Sequence, residues 1–97
     1  MLINVALQDG FDGDTVLIRV DGAEAYRREQ VTTRTQISHA ADMQLDVPDR
    51  PFMLEVDVPT RGVHEAFRLD PHAHPNVALS LLGGKLVAAY PERLGFV

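Results

Sequence analysis

The 97 residues suffice for one domain with a hydrophobic core and are too few for two. Apolar residues make up 45% and charged residues 24%, which excludes long disordered stretches, and the absence of cysteine excludes disulfides, thiolate metal sites and cysteine nucleophiles. A net charge of −5 disfavours nucleic acid as a partner, since nonspecific affinity for phosphate backbones comes from neutralising them with Lys and Arg.

In chain order, the opening "MLINVALQDG" has no basic leader and no cleavage site, and no run approaches the ~18 apolar residues of a membrane span. The expectation is a non-exported chain with no membrane partner and the cytoplasm as its compartment. Ile3, Val5 and Leu7 alternate with polar or small neighbours, as in a half-buried strand. After the glycine-rich "DGFDGD", Val16, Ile18 and Val20 alternate in the same way. Asp21-Gly22 suits a two-residue hairpin turn, because both residues tolerate positive φ. Folding about it sets Val20 against Ala23, Ile18 against Ala25 and Val16 against Arg27 on one face. On the other face Arg19 opposes Glu24, Leu17 opposes Tyr26 and Thr15 opposes Arg28. "VTTRTQIS" is rich in β-branched residues and reads as strand, "SHAADM" as a helical turn, and "MQLDV" as strand with Met43, Leu45 and Val47 together.

Phe52, Leu54, Val56 and Val58 alternate with Met53, Glu55 and Asp57, and "VHEAFRL" is a further strand that ends at Asp70 and Pro71. "PNVALSLLGG" has a helical rival reading, with Asn76 as N-cap and Gly83 as C-cap. Folding about Gly83-Gly84, however, sets Leu81 against Leu86, Leu79 against Ala88 and Val77 against Tyr90, so residues 76–82 are read as strand. All six prolines fall between or at the ends of the runs. The expected fold is an all-β, antiparallel two-sheet sandwich of about seven to nine short strands, a single domain over residues 1–97. The expected core contains Val5, Leu7, Val16, Ile18, Val20, Leu45, Leu54, Val56, Phe67, Leu79, Leu81 and Leu86.

The rhythm of strand, "DGFDGD", "TVLIRV", "VDG" and short strand over about the first 28 residues resembles the opening of prealbumin-like modules, including the carboxypeptidase regulatory-like family. The resemblance implies an immunoglobulin-like sandwich used as an accessory or binding module, and it brings no catalytic residues.

Asp9, Asp12 and Asp14 lack the spacing and the terminal Glu of a calcium loop, and are explained as turn formers. Asp70, His72 and His74 in "DPHAHPN" are the residues that would hold a metal if any did, but His39 and His64 have no evident reason to join them. Neither Ser38 nor Ser80 lies in a nucleophile elbow, Glu55 and Asp57 read as solvated charge, and Gly83-Gly84 is no phosphate loop. No enzyme and no cofactor is expected. A carbohydrate-binding role would need aromatic platforms, for which only Tyr26, Tyr90, Phe11 and Phe96 offer themselves, with Tyr90 claimed by the core. The favoured reading is a non-catalytic protein-interaction or assembly module, self-association included. Its surface is placed at Leu17, Arg19, Tyr26 and Arg28 on the outward face of the first hairpin. Residues 15–38 are the basic stretch of an acidic chain, so an acidic partner would suit them.

Overall fold

The computed structural model describes residues 1–92 and 94. Its strands are β1 Leu2–Leu7, β2 Asp14–Val20, β3 Ala23–Val31, β4 Ala41–Asp46, β5 Phe52–Val58, β6 Val63–Leu69, β7 Asn76–Leu82 and β8 Lys85–Ala89, with a 3-10 turn at Pro59–Arg61. Two four-stranded sheets, β4-β1-β7-β8 and β3-β2-β5-β6, enclose one apolar core to which both contribute. Ile3, Val5, Leu7, Val77, Leu79, Leu81 and Leu86 come from the first sheet, and Val16, Ile18, Leu54, Val56 and Val58 from the second. Of the core residues expected from alternation, Val20 and Phe67 are only partly buried.

The expectation of a purely antiparallel fold fails at one pair. β1 and β7 run parallel, with Asn4, Val5, Ala6 and Leu7 in register with Asn76, Val77, Ala78 and Leu79. These are two copies of one tetrapeptide, Asn-Val-Ala-Leu. Only parallel pairing sets like against like, with Val and Leu towards the core and Asn and Ala outward. Residues 76–82 are strand, and the Gly83-Gly84 hairpin pairs Leu81 with Leu86 and Leu79 with Ala88, as its sequence implies.

The first hairpin departs from its expected register. Val20 pairs with Ala23 and Arg19 with Glu24, but then Ile18 pairs with Tyr26, Leu17 with Arg27 and Val16 with Arg28. Ala25 is the extra residue of a β-bulge, and every side chain beyond it changes face. A second irregularity separates Asp14–Val31 from Val16–Arg28, near Gln30 at φ 59°.

"VTTRTQIS" is not a strand: β3 ends at Val31, and only an isolated bridge joins Arg34 to His39. Its threonines clamp the loop after β1 instead. Thr33 Oγ1 accepts the Phe11 N–H at 3.0 Å and donates to the Gln8 carbonyl at 2.6 Å, and Thr32 Oγ1 accepts the Gly13 N–H at 2.9 Å. "SHAADM" forms no helix, since β4 begins at Ala41.

Candidate interaction surface

The bulge at Ala25 divides the expected hairpin face. Leu17 and Arg19 point outward from the β3-β2-β5-β6 sheet, whereas Tyr26, opposite Ile18, packs against the core. The Tyr26 hydroxyl is buried without a hydrogen-bond partner among the described residues. Arg28, opposite Val16, is exposed at the β3 edge. Leu17 and Arg19 do not share a face with Tyr26 and Arg28, so the proposed constellation of four does not assemble. Leu17 itself is only 7% exposed, between Arg27 and Asp57.

The outward face around Leu17 is a lattice of charges that satisfy one another. Arg19 Nη1 lies 2.5 Å from Asp57 Oδ2, His64 Nδ1 contacts Asp57 Oδ1, and His64 Nε2 is 3.9 Å from Glu55. Arg27 pairs with Glu24 at 3.0 Å. Partial burial acts to raise the Asp57 pKa, but hydrogen bonds from His64 and Arg19 outweigh it and hold the carboxyl below its ordinary range. The basic stretch thus commits Arg19 and Arg27 to carboxylates of its own sheet, which leaves them little to offer an acidic partner.

The loop after β1 is organised around Asp14, only 1% exposed. Asp14 Oδ2 accepts the Asp12 N–H at 2.9 Å, and Oδ1 accepts the Thr60 hydroxyl at 2.7 Å and Arg61 Nε at 3.0 Å. The buried carboxylate ties the glycine loop to the 3-10 turn. Gly10, at φ 91°, lies against the Leu81 backbone, where an added Cβ would stand 1.9 Å from the carbonyl oxygen.

In the histidine loop the candidate ligands engage separate partners. Asp70 Oδ1 accepts the His72 N–H at 3.0 Å, His72 Nε2 contacts Asp49, and the His74 ring lies 4.5 Å from that of Tyr90. Among the described residues, no group of three His, Cys, Asp or Glu is placed to hold a metal ion. Of the aromatic platforms, Phe11 is buried in the core and Phe96 lies outside the described residues. Tyr90, expected in the core, is 40% exposed beside His74, because β8 ends at Ala89, one residue before it.

A different surface stands out at the sheet edges. Among the described residues the edge strands are β3, β4, β6 and β8. β3 carries Glu24, Arg27, Arg28 and Glu29; β4 carries Asp42 and Asp46; β6 carries Glu65 and Arg68, all exposed. Such charges discourage pairing with a foreign strand. β8 carries only Lys85, at its start, and its hairpin exposes Leu82 (53%) and Val87 (44%) on one outward face. The signal was present in "LLGGKLVAA", where a single charge leads a run apolar on both faces. No family model, curated protein or solved structure matches this chain.

Proposed function

We propose that the chain is a non-catalytic protein-interaction module of prealbumin-like architecture, in which β8 accepts an extended segment of a protein partner or of a second copy. The observation that carries this reading is the contrast among the edges: among the described residues, β8 combines an unpaired backbone edge and a single charge with the exposed apolar Val87 and, beside it on β7, Leu82. Strand addition draws affinity from main-chain hydrogen bonds and specificity from side chains along the edge, here Val87 of β8 with Leu82 of β7 on the same outward face. The prealbumin-like assignment is supported by strand order. In an immunoglobulin constant domain the first two strands share a sheet, whereas here β1 and β2 lie in opposite sheets.

The test is the double change Leu82→Glu with Val87→Lys. Sedimentation velocity over a concentration series, together with affinity capture from the native cell, should show self-association or partner recovery in the unaltered chain and its loss in the variant, at an unchanged melting temperature. A folded variant that keeps the same association behaviour and the same partners overturns the reading.

A further inference from the structure

The outward face of the β4-β1-β7-β8 sheet carries a feature unrelated to the β8 edge. Gln44, Asn4 and Asn76 stand in register on three adjacent strands. Their amides are joined head to tail: Gln44 Nε2 donates to Asn4 Oδ1 at 3.1 Å, Asn4 Nδ2 to Asn76 Oδ1 at 3.0 Å, and Asn76 Nδ2 to the Glu92 carbonyl at 2.7 Å. Each bond fixes the plane and the flip of an amide. Each nitrogen still has a second N–H, and among the described residues Gln44 Oε1 accepts no hydrogen bond, since a carboxamide offers two donors and two acceptor lone pairs. A cleft of about 420 Å³ opens here, lined by the three amides with Asp42, Met43, Val5 and Leu94. That volume lies in the range of small-ligand sites.

We infer that this cleft binds a neutral, polyhydroxylated ligand, a saccharide. Among the described residues that line it there is no Lys or Arg to hold an anion, and one carboxylate, Asp42, to hold a cation. Strand addition is a property of sheet edges, whereas the ladder crosses the central strands β1 and β7 on the sheet's face. What the site offers is a row of preoriented groups that both donate and accept, spaced by the inter-strand distance of about 4.8 Å, beside the apolar Leu94. Sugar hydroxyls likewise both donate and accept, and a C–H face of the ring suits Leu94. Preorientation lowers the entropy lost on binding.

The experiment follows the side-chain amide resonances of Asn4, Gln44 and Asn76 by heteronuclear NMR during titration with maltose, cellobiose and N,N′-diacetylchitobiose, with glycerol as control. Saturable shifts at these amides are expected with at least one disaccharide by about 20 mM, which detects dissociation constants on the order of 1–10 mM. Gln44→Ala removes an exposed side chain from the end of the ladder, so the fold should persist while affinity falls about five- to tenfold, the worth of one hydrogen bond. The Leu82→Glu/Val87→Lys variant should bind the sugar as the unaltered chain does, which separates this site from the β8 edge. No saturable shift with any of the three sugars, shifts shared with glycerol, or undiminished affinity in a folded Gln44→Ala overturns the inference.

Discussion

At the scale of single residues, two buried polar groups have opposite consequences. Asp14 is out of water but bonded to Asp12, Thr60 and Arg61. Burial alone would raise its pKa, and the three partners together bring it below the ordinary value of 3.8. A depressed carboxylate contributes stability that is complete above the ordinary value and is lost as pH falls through the lower folded value. Urea unfolding at about pH 7 and about pH 3 should therefore show a drop for the unaltered chain that is smaller in Asp14→Asn, the variant being weaker at neutral pH by about 1.5–3 kcal/mol. Tyr26 is the converse case, a buried hydroxyl with no partner among the described residues. Such a group costs about 1–3 kcal/mol, so Tyr26→Phe should raise the melting temperature, by about 4–8 °C per kcal/mol recovered. A fall in melting temperature would show that the hydroxyl is bonded in solution.

At the scale of elements, the loop between β1 and β2 determines how the sheets connect. Gln8 N–H donates to the Leu79 carbonyl and Leu81 N–H to the Asp9 carbonyl, each at 2.8 Å, so the loop continues the β1–β7 pairing before the chain crosses to the other sheet. Gly10 permits this approach through its positive φ and its missing Cβ. Gly10→Ala should cost more than about 3 kcal/mol or prevent folding, because the Leu81 backbone cannot yield. Gly22→Ala has open space around it and should cost only about 1 kcal/mol, for the strain of a positive φ. Equal losses in the two variants, measured by thermal unfolding, would contradict the role assigned to Gly10. The Ala25 bulge is the other decisive local feature: it turns Tyr26 into the core and leaves Leu17 facing Arg27 and Asp57. The Asp21-Gly22 turn was legible as a hairpin, and its first two pairs came out as the turn requires. The bulge was not legible, because Ala25 resembles any other small residue in a strand.

At the scale of the whole molecule, the radius of gyration of 12.4 Å matches the roughly 12.5 Å expected for a compact chain of this length. Ile18 and Leu79 are fully buried, one in each sheet. Truncation of either to Ala should cost about 2–5 kcal/mol in urea unfolding, whereas a loss below about 1 kcal/mol would place the residue at the surface. Because β1 pairs with β4 and with β7, far away in sequence, folding must close long loops before those contacts form.

The alternation of apolar residues determined by itself that the chain is all-β, where most strands lie and which side chains face the core, because a strand half in water exposes a strict period of two. Asp21-Gly22 and Gly83-Gly84 determined two hairpin turns by the same kind of local necessity, positive φ. Only the tertiary structure decided which strands are neighbours, and hence the charge lattice around Asp57, the amide ladder over β1 and β7 and the unguarded edge of β8. Pairing is chosen by the burial of both sheets at once. The repeated Asn-Val-Ala-Leu shows how a local pattern acquires its meaning there: two ordinary strand segments become a parallel pair, and two asparagines become a bonded row, only when positions 72 apart in the sequence have been brought together by folding.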